Sequence, residues 1–299
     1  MKKQVAVCVA WLSVALSSPA GKVTFIAVAD NRTAFAAFSN VLQSIKIQWS
    51  ATNVAPIDFV LACGDFDPAP KNDAIYQSIF GEKGPVLFPV RGNHEEQSDV
   101  DHFLKVMLPR GAALISNRTG SGCGYCIDRD NVRVVVVDQY ADRNADWMGT
   151  NEIRWTERMI AGATNAAHVF VAFHEPVFMN YGSGGGSPDA AHRDFWNMIV
   201  RHADKVRAVI VGHSHKYSRM RVKDPAAVGS RLPDEPGGVY QIDCGNAGNR
   251  AHSDGKSTFV AVEVNGGDVA FKTYQEPDGA TNFVVTDQWE IKPGTVPRP

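Results

Sequence analysis

Apolar and polar positions along the chain alternate between two textures. Short runs rich in β-branched residues each stop at polar or glycine residues: "VTFIAVAD" (23–30), "DFVLACGD" (58–65), "VLFPVRGN" (86–93), "VRVVVVDQ" (132–139), "HVFVAFHE" (168–175) and "VRAVIVGH" (206–213). A run that is short, continuously apolar and bounded by turn residues predicts a strand buried on both faces. Between several of them, Thr33–Gln48, Asn151–Ala161 and Asp194–His202 carry apolar residues at helical spacing. Strand and helix in alternation predict an α/β layered domain.

The last third changes texture. "GGVYQIDCGNAG", "STFVAVEVNGGDVAFKTY" and "NFVVTDQWEI" read as successive antiparallel strands, with "NGGD" (265–268) as a hairpin turn. The expected organisation is one domain over 21–275, followed by a terminal strand and a Pro-rich tail over 276–299. "YGSGGGSPD" (181–189) has the composition of a linker. It falls between a strand and a helix of one alternating pattern, so it is expected to be a mobile loop.

Composition changes this picture only at the N-terminus. The chain has 299 residues, 44% of them hydrophobic and 21% charged, which are ordinary globular values. Its first twenty residues differ: Lys2 and Lys3 precede the apolar run Val5–Leu16, and "SSPA" follows. That is the layout of a secretory signal peptide cleaved after Ala20, which implies a periplasmic or extracellular protein. The apolar run is too short for a stable membrane span. Loss of the two lysines leaves 28 basic against 32 acidic residues, a net charge of −4. No basic stripe is present, so nucleic acid is not an expected partner.

Of five cysteines, Cys8 leaves with the leader, and Cys63, Cys123, Cys126 and Cys244 remain. The pair in "SGCGYC" lacks the second pair that a zinc knuckle needs. A short-range disulfide and two free thiols both fit it, and a Cys63–Cys244 pairing is open as well.

The candidate chemistry lies where the apolar runs end. Asp30 ends the first, Asp65 the second, and Asn93, His94 and Glu95 the third; His174 follows "VFVAF", and His213 and His215 follow "VRAVIV". In open α/β sheets, ligands bind beyond the carboxyl ends of the strands. Five strand ends thus bring two carboxylates, an amide oxygen and three metal-competent imidazoles to one rim. That donor mix suits zinc, manganese or iron better than calcium or magnesium. No Gly-x-Ser-x-Gly elbow and no P-loop offers an alternative.

In these motifs, "ADNR", "CGDFD", "RGNHEE", "FHEP" and "GHSH", the chain resembles the calcineurin-like metallophosphoesterase superfamily, from about Val23 to Tyr274. The resemblance implies a β-sandwich of two mixed sheets flanked by helices. It implies one or two metal ions and hydrolysis of a small phosphoric mono- or diester by metal-activated hydroxide. Asp65 would bridge two metals. Asn93, His174 and His213 would complete one site, and Asp30 and His215 the other. His94 would protonate the leaving oxygen or hold a phosphate oxygen, and Glu95 would orient its neighbours or be solvated.

The chain departs from that pattern at one position, because the family's first-motif histidine falls on Arg32. Arginine stays protonated and cannot ligate a metal. Pro68 stands where the purple acid phosphatases, which lack the same histidine, place a compensating tyrosine. Asp67 is near enough to turn inward, although the usual lot of such a residue is a solvated loop. Three fates are open for Arg32: it points to solvent, it grips phosphate in a bidentate fork, or it marks a degenerate binding protein. The expectation is weakened or single-metal occupancy with hydrolysis retained. Substrate identity and oligomeric state are not legible.

Overall fold

Strand β1 (Lys22–Val28) shows how the sheets are built. Phe25 and Ala27 point to one face and Ile26 and Val28 to the other, and all four are fully buried. A strand covered on both faces needs no polar alternation, which is why the run reads as continuously apolar. The computed structural model describes residues 21–50, 56–142, 147–179, 188–228, 233–249, 253–276 and 282–292. The leader, most of the 181–189 loop and the Pro-rich end lie outside them.

Along the chain β1 is followed by α1 (Phe35–Trp49), β2 (Phe59–Cys63), α2 (Ala69–Phe80), β3 (Val86–Val90), α3 (Gln97–His102) and α4 (Leu108–Arg110), the last two joined by one π-helical turn. Next come β4 (Ile115–Arg118), β5 (Tyr125–Arg129), β6 (Val132–Val136), α5 (Thr150–Ala161), β7 (His168–Ala172), α6 (Ala190–Arg201) and β8 (Val206–Val211). The final elements are β9 (Tyr217–Val222), β10 (Val239–Cys244), β11 (Thr258–Asn265), β12 (Asp268–Gln275) and β13 (Val284–Ile291).

Among the described residues these strands make two mixed sheets, ordered β13-β12-β11-β1-β2-β3 and β4-β5-β6-β7-β8-β10-β9. β1, β2 and β3 run parallel, as do β6, β7, β8 and β10. The inner faces share one core, in which Phe25 stacks on Phe59 at 5.0 Å and meets Phe170 edge-on at 5.1 Å across the sandwich. Such ring pairs add about 0.5–1.5 kcal/mol beyond the area they bury. Helices α1 and α2 cover the outer face of the first sheet, and α5 and α6 that of the second. The architecture is therefore the α/β sandwich of two mixed sheets flanked by helices that the motifs implied.

Each predicted strand is present, shorter by the polar residues at its C-terminal end, because those residues turn out of the ladder to form the rim. The third helix begins at Ala190, four residues before its apolar pattern, where Asp189 caps the His192 N–H at 2.9 Å. Four segments escape the periodicity reading: α2, the 97–110 helix, the β4–β5 pair and β9. Helix α2 has a weak apolar stripe and buries the polar Asn72 and Asp73 instead. The hairpin at 265–268 joins β11 to β12 as expected, and β13 extends the same sheet by pairing with β12. All four described cysteines are buried free thiols.

Candidate metal centre

At the rim the backbone leaves its ordinary conformations. Asp30, Asp65, His213 and His215 sit at φ of 54°, 53°, 73° and 58°, and Arg32 at 41°. Left-handed non-glycine residues cost on the order of 1–3 kcal/mol each and gather where function requires them. The turns are pinned by backbone hydrogen bonds from Asp30 N to Gly64 O (3.1 Å), Arg32 N to Asp65 O (3.0 Å) and Gly212 N to His174 O (3.0 Å). Glycines permit the close approach, Gly64 and Gly212 among them. At Gly64, with φ 89°, a Cβ would overlap the His174 ring; at Gly212 it would stand 2.7 Å from Asp30 Oδ2.

His174 occupies the centre of the cluster and is fully buried. Its Nδ1 lies 2.9 Å from the Cys63 carbonyl, which can only accept, so Nδ1 carries the proton and Nε2 presents its lone pair. Around that Nε2 stand Asn93 Oδ1 at 3.0 Å, His213 Nδ1 at 3.2 Å and Asp65 Oδ1 at 3.3 Å. Burial holds the His174 pKa down at about 3, so the ring is neutral and ready to ligate.

Asp30 supplies the second half. Its Oδ2 accepts the His213 N–H at 2.8 Å. Its Oδ1 is buried without a hydrogen bond, 3.5 Å from His215 Nε2 and 4.0 Å from His174 Nε2. A buried carboxylate oxygen left without a donor is a costly arrangement that a cation relieves. Ligand atoms of Asp30, Asp65 and His215 all fall within 4.8 Å of one another, a spacing that fits one metal ion. Burial, then the neighbouring Asp65 and Asp243, push the Asp30 carboxyl well above its usual range, and burial raises Asp65 as well. The donor set therefore fits the implied metal.

Arg32 turns toward this cluster, with its side chain partly exposed at the mouth. Its Nε donates to Asp67 Oδ1 at 3.2 Å, and its Nη1 stands 3.3 Å from His94 Nε2. Asp67 is thus half-buried and ion-paired, turned inward and not left in a solvated loop. Asn72 of α2 ties the two loops together, donating to Arg32 O at 2.9 Å and Phe66 O at 3.0 Å. Asn93 and His94 are exposed at the mouth, and the His94 N–H reaches Asp65 Oδ1 at 3.3 Å. Glu95 is buried, so the solvated reading does not hold. It accepts from Phe66 N (2.5 Å) and Gly92 N (2.7 Å), and burial with the Asp65 charge raises its pKa to about 8.

Every sequence-predicted residue thus lies in one cluster. Sequence reasoning missed the layer beneath it, Asp243 and Asn246 in "DCGN" at the end of β10; their only signal was another polar strand end. His192 stacks on Trp147 at 4.2 Å and His202 lies 3.9 Å from Glu157, both with structural partners of their own. Tyr181 and His252 lie outside the described residues. A groove of about 510 Å³, lined by Trp49, Asp58, Lys83 and Val86, opens at the opposite ends of β2 and β3 and adds nothing to the rim.

The family model described as calcineurin-like phosphoesterase matches residues 23–217. Among solved structures, GAP50, "the anchor in the inner membrane complex of Plasmodium", is 12% identical with a TM-score of 0.59, covering 91% of this chain and 89% of that one. That likeness shows the fold alone. Chaetomium thermophilum Vps29 gives 12% identity and a TM-score of 0.43 over 90% of this chain and 98% of its own. A conserved uncharacterized protein of Streptococcus pneumoniae, a predicted phosphoesterase, gives 12% and 0.40 over 91% and 98%. No curated protein matches.

Proposed function

The chain belongs to the calcineurin-like phosphoesterase family, and on that premise we propose that it is an exported, metal-dependent hydrolase of small phosphoric esters. The observation that carries the reading is the orphaned Asp30 Oδ1, buried beside Asp65 and His215 in a cluster with a neutral, correctly oriented His174. Asp30, Asp65 and His215 are the residues to hold one ion. Asp65, Asn93, His174 and His213 are those to hold a second, and manganese, zinc and iron suit both donor sets. A bound divalent ion supplies Lewis-acid charge to phosphoryl oxygens and acidifies water.

This chain's own residues do the rest. Asp67 holds the Arg32 Nε and His94 stands at its Nη1, so the guanidinium is fixed at the mouth and its remaining N–H donors can grip phosphoryl oxygens. His94, beside it and exposed, meets the ester's leaving oxygen. Glu95 fixes the 92–95 turn from beneath through Gly92 N and Phe66 N, so that Asn93 and His94 keep their places. Export rests on the charged, apolar and small-residue sequence of the first twenty residues. No helix among the described residues is long and apolar enough to cross a membrane.

The test is hydrolysis of nitrophenyl phosphate and bis(nitrophenyl) phosphate by purified protein with added manganese or zinc. Turnover that EDTA abolishes supports the proposal. Protein that binds metal and hydrolyses neither ester class is instead a metal- or phosphate-binding protein on the same scaffold, the reading that Arg32 in place of a histidine keeps in view.

A further inference from the structure

The sheet order places a strand beneath the last metal-binding loop. β8 and β9 are not neighbours; β10 lies between them, parallel to β8 and antiparallel to β9. Residues 212–216, which carry both His213 and His215, must therefore arch over the C-terminal end of β10. Asp243 is paired with Val211 on one side and Ser218 on the other, so it stands under that arch. It is only 2% exposed and accepts the Gly245 N–H at 2.9 Å, which turns the chain beneath the arch toward Asn246. Two residues beyond β10, the fully buried Asn246 donates from Nδ2 to His215 O at 3.1 Å and to Lys256 O at 2.9 Å, and accepts the Gly248 N–H at 3.0 Å. Ala247 N then reaches Ala29 O at 2.6 Å, next to Asp30.

One six-residue segment thus touches the chain on both sides of the Asp30–Asp65–His215 cluster. It holds His213 and His215 at φ of 73° and 58°, an uncommon conformation for residues other than glycine. This matters most for the cluster whose family histidine is replaced by Arg32, because Asp30 and His215 there carry the binding with fewer partners. We propose that Asp243 and Asn246 are positioning residues that set metal affinity by locking the 212–216 arch, an inference that rests on the metal-centre reading above. Partners that orient ligands in this way typically contribute 10–100-fold to metal affinity.

The experiment is calorimetric titration of metal-free protein with Mn²⁺, for wild type, Asn246→Ala, Asn246→Asp and Asp243→Asn, with the thermal midpoint of each measured in EDTA. Asn131→Ala, which removes a remote bond to Gly266 O, serves as the control for mere loss of stability. The expected result is a Kd roughly 10–100-fold weaker in the arch variants and unchanged in the control. Asn246→Asp keeps an acceptor for Gly248, loses the donor and adds an ionisable carboxyl, so it stands in if the alanine variant fails to fold and is read beside the charge-removing Asp243→Asn. Wild-type affinity in folded Asn246→Asp and Asp243→Asn overturns this inference alone. Failure of the wild type to bind Mn²⁺ at all overturns the metal-centre reading and this inference together.

Discussion

The Arg32 guanidinium bridges two loops: its Nη1 stands 3.3 Å from His94 Nε2 while its Nε is held by Asp67 at 3.2 Å. A residue so anchored is placed to act on what enters the mouth. Arg32→Ala is expected to lower kcat/KM for a phosphate ester about 10–100-fold, from loss of charge-assisted bonds of roughly 1.5–3 kcal/mol. Arg32→Lys should recover only part, since an ammonium lacks the fork. Higher activity in Arg32→His than in wild type would instead identify a damaged metal site.

Gly64 is fixed by its φ of 89° and by the His174 ring packed against it. Gly64→Ala forces a left-handed alanine and a clash at a fully buried side chain, together about 2–5 kcal/mol. Urea unfolding should show that loss, and titration with Mn²⁺ should show the binding site disrupted as His174 is displaced.

Metal removal should be visible in stability without any substrate. An ion at one hundred times its Kd stabilises the folded state by about 2.7 kcal/mol. For a domain of this size that is a shift of about 5–10 °C. Calorimetric scans with Mn²⁺ and with EDTA should differ by this amount, and Asp30→Asn should erase most of the difference.

His168 gives a pH signature far from the rim. Its Nε2–H donates to Gly266 O at 2.9 Å and its Nδ1 accepts from Arg207 at 2.9 Å, so the folded ring is neutral. Burial, aided by Arg207 and opposed by the Gly266 bond and Asp268, holds its pKa below the ordinary 6.5. The unfolded chain therefore binds the extra proton first. Stability from this group is intact above pH 6.5, falls as pH drops through 6.5, and levels off below the folded pKa. Urea midpoints across this range should flatten in His168→Gln.

The thiols test both the fold and the leader. Burial pushes the Cys123 and Cys126 pKa values up to about 12 and raises Cys244 well above its usual range. Native protein at pH 8 should resist Ellman's reagent. Unfolded protein should then titrate four thiols if the leader with Cys8 has been removed and five if it remains.

The sequence by itself determined which residues meet. Short apolar runs must become buried strands, and the polar residues that end them must leave the sheet at its rim. Asp30, Asp65, Asn93, His94, His174, His213 and His215 were therefore legible as one group. Local pattern could not show α2, whose buried face interrupts the apolar Ala69 and Tyr76 with the polar Asn72 and Asp73. Nor could it show β9, whose alternation acquires meaning only beside β10. The direction of Arg32 was equally hidden, because it depends on Asp67 and on Asn72, forty residues away. The strand beneath the His213–His215 arch was hidden for the same reason. Sheet order and the facing of two loops are long-range pairings, and only the folded chain brings those partners within hydrogen-bond distance.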